Sequence, residues 1–135
     1  FGSSVSGVGD VDGDGVADLV VGADGDSGGG PRSGAVHVLL LNTDGTVKSS
    51  MKIADGLNGG PTLGSGDSFG TSVASLGDLD GDGVADLAVG AYLDDTGGPN
   101  RGAVHVLFLN ADGTVKSSTK IASGLKGAPG LANAD

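Results

Sequence analysis

The chain has 135 residues, 29 of them glycine, no cysteine and a formal net charge of −10. All 17 acidic residues are aspartate, which favours turns and caps over helix interiors. The lack of cysteine excludes a disulfide framework, a thiolate metal site and a cysteine nucleophile, and the excess of acid over its seven basic residues makes nucleic acid a poor partner.

The longest apolar runs are about six residues, far short of the roughly 20 that span a bilayer as a helix, so no membrane insertion is expected. The first residues lack the basic and apolar regions of a signal peptide, and none is expected within the chain.

In chain order, residues 3–8 read as a short strand of small residues, followed by an aspartate- and glycine-rich loop at 10–18. Residues 17–23 and 35–41 are β-rich runs bounded by Gly and Asp clusters, as strands are. Asn42-Thr43-Asp44-Gly45 is a hairpin signal leading into a fourth strand at 46–54. Residues 24–33 and 55–68 are loops rich in glycine and proline. At Phe69-Gly70 the pattern starts again, and an offset of 68 then holds without a gap to the last residue. Roughly two thirds of aligned positions are identical, which makes the chain two copies of one unit, 1–68 and 69–135.

Leu19-Val20-Val21 and Val38-Leu39-Leu40-Leu41 are apolar on both faces, the pattern of strands covered from both sides. Two small sheets stacked on each other cover only one face each. The expected fold is therefore all-β, two four-stranded antiparallel β-propeller blades, completing a propeller by oligomerisation or as a fragment of a longer repeat protein.

Each unit carries Asp-x-Asp-x-Asp-Gly-x-x-Asp. Alternating carboxylates and a glycine for the reversal make an oxygen cage of Ca²⁺ size. The expected ligands are Asp10, Asp12, Asp14, the Val16 carbonyl and Asp18 in the first unit. Asp78, Asp80, Asp82, the Val84 carbonyl and Asp86 repeat them in the second. Asp18 and Asp86 are expected to close their cages, and Gly15 to take a positive φ. The all-oxygen donor set disfavours Zn²⁺ and Cu²⁺. An EF-hand would place an acid at the twelfth position, where this chain has Val21 or Val89. The expectation is two Ca²⁺ ions per chain, one per repeat.

Phe1-Gly2, the loop 10–18, Asp18-Leu19-Val20-Val21-Gly22-Ala23 and Gly34-Ala35-Val36-His37-Val38, with their counterparts from Phe69-Gly70 to Val106, resemble the FG-GAP repeat of integrin α-subunit propellers. Similar repeats occur in bacterial surface proteins and some fungal lectins. The resemblance implies a propeller blade with Ca²⁺ in the loop between its first two strands. Asp24 and Tyr92 stand where the family usually has proline, and its propellers typically have seven blades. Two blades per chain do not divide seven, so the chain is expected to be a piece of a longer repeat protein or to form a homo-oligomeric ring of three or four chains.

Gly66-Asp67-Ser68-Phe69-Gly70 matches a nucleophile elbow in letters, but a strand rather than a helix follows it. His37 and His105 sit mid-strand at equivalent places and read as packed residues between blades. No acid–base pair for hydrolysis stands out, so no enzymatic activity is expected. The loops 24–33 and 92–101 differ most between units and are where a protein or glycan ligand is expected to bind. The resulting expectation is a non-catalytic, calcium-binding module for recognition or adhesion, extracellular or at the cell surface. A lectin-type propeller and a purely structural repeat fragment are the alternatives.

Overall fold

The computed structural model describes residues 1–133 and forms two sheets of identical topology. The first contains β1 (Ser4–Gly9), β2 (Asp18–Ala23), β3 (Ala35–Leu41) and β4 (Val47–Ile53). The second contains β5 (Phe69–Gly77), β6 (Asp86–Ala91), β7 (Ala103–Leu109) and β8 (Val115–Ala122). Strands run in sequence order in each sheet and every neighbouring pair is antiparallel. The registers correspond as well: Leu19 faces Leu39 and Val21 faces His37, as Leu87 faces Leu107 and Val89 faces His105. The expected boundary between units falls where β5 begins, while the last residue of the second unit, 135, lies outside the described residues.

The β3–β4 turn follows from its residues. Asn42 N–H donates to the Thr46 carbonyl at 2.8 Å, the Asp44 carboxylate accepts the Thr46 N–H at 3.0 Å, and Gly45 takes φ 83°. Asn110 to Thr114 repeat the arrangement.

The sheets stack face to face, and one apolar cluster runs through both. Val20, Val36, Val38 and Leu40 of the first sheet are buried with Leu87, Val89, Leu107 and Leu109 of the second. These are opposite faces of the repeat: one copy contributes its even-numbered β3 positions, the other its odd-numbered β7 positions. Side chains of the remaining faces, among them Leu39, Leu41, Val104 and Phe108, are only partly covered. Burial on both sides, expected from the apolar runs, is therefore met on one face of each sheet.

Phe69 is the hinge between the sheets. Its N–H donates to the Ser33 carbonyl at 3.0 Å, its ring is completely buried, and the ring meets His105 edge-on at 5.3 Å. Gly34 lies against the Phe69 backbone so closely that a Cβ would collide with it. Ser68, the central residue of the elbow-like sequence, has φ 56° and leads directly into β5, without the helix that a nucleophile elbow needs.

Candidate metal centre

Both aspartate loops connect the first two strands of their sheets, and their geometry is nearly superimposable in hydrogen bonding. Asp10 curls the first loop around itself, accepting N–H groups from Gly13 (2.7 Å), Asp14 (3.0 Å) and Gly15 (2.8 Å). Asp78 does the same with Gly81 (2.8 Å), Asp82 (3.0 Å) and Gly83 (2.8 Å). These reversals require positive φ, and Gly13 and Gly15 supply it at 78° and 85°. Val16 and Val84 donate their N–H groups to Asp14 and Asp82 at 2.8 and 2.9 Å.

Asp18 and Asp86 occupy a different environment. Each is buried, and each carboxylate accepts two backbone N–H groups. Asp18 takes those of Val11 (2.8 Å) and Leu41 (2.9 Å); Asp86 takes those of Leu79 (2.8 Å) and Leu109 (3.1 Å). The ninth position thus ties the loop to the end of the third strand of its sheet, whatever else it binds.

Carboxylate oxygens of Asp10, Asp12 and Asp18 lie within 4.8 Å of one another, as do those of Asp78, Asp80 and Asp82. Asp14 and Asp86 stand outside these two groupings. A basic residue that motif reading passes over completes each cluster. Lys48 bridges Asp12, at 2.5 Å, and Asp14; Lys116 bridges Asp80 and Asp82, at 2.6 Å each. The ammonium hydrogen bonds hold the carboxyls of Asp14 and Asp82 below their ordinary range, and the paired carboxylates raise both lysines.

The reach of these lysines comes from a β-bulge. Leu40 pairs with Ser49 and Leu41 with Val47, so Lys48 is the extra residue; Lys116 is its equivalent between Phe108 and Leu109. A bulge re-aims a side chain, here toward the loop. The available signal was the recurrence of Val-Lys-Ser-Ser after each turn, but strand alternation alone does not show where an extra residue points.

The donors fit a hard divalent cation. Every side chain in the two groupings offers carboxylate oxygen, the donor that hard divalent cations take, and the loops already gather positive charge between two carboxylates in the form of an ammonium.

The divergent loops take part in a second, smaller constellation. Lys52 pairs with Asp26 at 2.8 Å, and Lys120 with the buried Asp94 at 2.5 Å. A cleft of about 340 Å³ between the loop that connects the two sheets and the second sheet is lined by residues including Asp67, Asp94, Asp95, Thr96 and Lys120. Burial pushes the Asp67 carboxyl up. Burial also opposes ionisation of Asp94, but hydrogen bonds from Lys120 and Thr96 outweigh it and hold that carboxyl down. Asp24 and Arg32 stand outside the cleft, and Tyr92 and Arg101 line a separate cavity on the outer face of the second sheet.

Residues 1–39 and 69–107 match the model of the FG-GAP repeat. Among similar curated proteins, integrin alpha pat-2 of Caenorhabditis elegans is 37% identical over 94 residues, covering 68% of this chain and 7% of that protein. Integrin alpha-PS2 of Drosophila melanogaster is 35% identical over 128 residues, covering 90% of the chain and 8% of its own length. Integrin alpha-IIb of Homo sapiens is 34% identical over 121 residues, covering 90% and 10%. The chain therefore spans a tenth or less of the length of these relatives.

Proposed function

The chain belongs to the FG-GAP repeat family, its sheets are two β-propeller blades, and from that premise we propose a calcium-stabilised recognition or adhesion module. In this reading Asp10, Asp12, Asp14 and Asp18, with the Val16 carbonyl, hold one Ca²⁺. Asp78, Asp80, Asp82 and Asp86, with the Val84 carbonyl, hold another. Bound calcium supplies charge neutralisation to loops whose carboxylates otherwise repel one another. The module works without catalysis, outside the cell or at its surface, where millimolar calcium keeps even a weak site filled. Its integrin alpha relatives support that setting. Further blades, from other copies of the chain or from neighbouring repeats of a parent, complete the propeller.

The observation that carries the reading is the twofold recurrence of one folded loop, with carboxylate oxygens gathered within 4.8 Å in each. Calorimetric titration of the chelator-treated chain with Ca²⁺ tests it. Two ions per chain are expected, falling to one when Asp10 and Asp12 are both changed to Ala. Absence of binding at millimolar calcium would overturn the assignment.

The polar cleft between the connecting loop and the second blade, with Asp67, Asp94 and Lys120 on its wall, favours a second reading in which the module takes a carbohydrate. A glycan array tests it: binding that is lost in Asp95→Ala supports a lectin, and an empty array contradicts one.

A further inference from the structure

The chain contains nine dipeptides in which glycine follows aspartate or asparagine, and eight of them carry aspartate. In such a pair the glycine nitrogen can attack the preceding side chain, because glycine has no Cβ to hinder the approach. The hydrogen bonding of the glycine N–H therefore decides which dipeptide is open to reaction. Seven of the nine are engaged. Gly13, Gly15, Gly81 and Gly83 donate to the carboxylates of Asp10 or Asp78. Gly45, Gly56 and Gly113 donate to the carbonyls of Asn42, Pro61 and Asn110. Among the described residues, the two glycines of this set whose N–H has no partner are Gly25 and Gly59. Gly25 follows Asp24, and a carboxylate has no good leaving group. Gly59 follows Asn58, whose neutral carboxamide can lose ammonia.

The same asparagine clips the two sheets together. Asn58 and Gly59 have φ 54° and 80° and stand at the centre of a turn closed by the Gly60 N–H on the Leu57 carbonyl at 2.9 Å. Asparagine and glycine are the residues that tolerate such a pair of positive φ angles. From this turn the Asn58 Nδ2 donates to the Lys52 carbonyl of β4 at 2.7 Å, and the Asn58 carbonyl accepts the Val115 N–H of β8 at 2.9 Å. Gly59 lies so near the Val115 carbonyl that an added Cβ would stand 2.1 Å from its oxygen. The turn thus grips one strand of each sheet.

We propose that Asn58 is the chain's site of spontaneous deamidation and that its conversion loosens the joint between the sheets. The Gly59 nitrogen gives its proton to a base in solution and forms a bond to the Asn58 side-chain carbonyl carbon. The bond from that carbon to Nδ2 breaks, and ammonia leaves with a proton returned from the solvent. Water then opens the resulting cyclic imide. Attack at the side-chain carbonyl leaves aspartate; attack at the main-chain carbonyl leaves isoaspartate, with one more carbon in the backbone. Both products lose the amide donor to Lys52 and add a negative charge. Isoaspartate also displaces Gly59 from its close seat on Val115.

Peptide mapping by mass spectrometry of the folded chain, held for days in warm, mildly alkaline buffer, tests the first half. Asn58 is expected to become a dalton heavier, with isoaspartate among the products. It should do so ahead of Asn42, Asn100, Asn110 and Asn133, none of which precedes glycine, and ahead of isomerisation at any Asp-Gly pair. Asn58→Lys is the control, since Lys126 holds the equivalent turn of the second copy at φ 54°; this variant is expected to keep its charge. Asn58 still intact after an unstructured peptide of residues 55–61 has converted would overturn the assignment, as would earlier change at another dipeptide.

The second half is read on the converted chain, separated by its extra negative charge in ion exchange. Its melting temperature is expected to fall by about 2–6 °C, and protection of the Val115 amide against hydrogen exchange to fall with it. Unchanged melting and unchanged exchange at Val115 would overturn the link to the joint.

Discussion

At the residue scale, Asp86 separates folding from ion binding. It is fully buried, and its carboxylate accepts the N–H groups of Leu79 and Leu109. Asp86→Ala strands both donors and is expected to cost about 2–4 kcal/mol in chelator, measured by chemical denaturation. Asp86→Asn keeps one carbonyl acceptor and is expected to lose about half as much. If Asp86 is also a ligand, calcium will stabilise the unaltered chain more than either variant.

His105 belongs to the same scale. Its ring nitrogens have no hydrogen-bond partner among the described residues, and burial lowers its pKa to about 4 from an ordinary 6.5. The unfolded chain therefore takes up the proton first. The contribution to stability is complete above about pH 6.5 and is lost as pH falls toward 4, an effect on the order of 3 kcal/mol. Asp67, raised by burial, works in the opposite direction at the acid end of that window. The comparison of pH-dependent unfolding is thus between the unaltered chain and His105→Phe, in which the loss between pH 6.5 and 4 should shrink.

At the scale of elements, the bulges on β4 and β8 join edge strands to the aspartate loops. Lys48 and Lys116 occupy loop carboxylates, so under the proposed calcium reading the ammonium would compete with the ion. Lys116→Met is expected to tighten calcium binding at the second loop by about fivefold or more, from the charge removed alone. Calorimetry on a chain with the first loop disabled reads it directly, and unchanged affinity would contradict the competition.

Strands, turns and loops were legible because β-branched runs alternate with Asp-Gly turns and the pattern occurs twice. The gathering of loop carboxylates was legible because their spacing is local. The lysines were not, since a bulge breaks the period that places side chains. Nor was the fate of the histidines: His37 and His105 lie in identical sequence, yet one is partly exposed and the other buried. Position in the stack, rather than local sequence, decides which face is covered.

At the scale of the whole molecule, the charge of −10 is concentrated in the aspartate loops, and apolar side chains gather between the blades. Eight of the 17 aspartates stand in two loops at the ends of their blades, where two Ca²⁺ ions would bring the formal charge to −6. The apolar side chains between the two blades supply the joint, where full burial of the Phe69 ring contributes about 1.5–3 kcal/mol.

Native mass spectrometry of the unaltered chain, in calcium and after chelation, tests the metal assignment most directly when paired with melting temperatures. Two calcium ions per chain, lost on chelation together with a fall in melting temperature, is the predicted result. A mass free of calcium at millimolar concentration, with a melting temperature that chelation leaves unchanged, would contradict it.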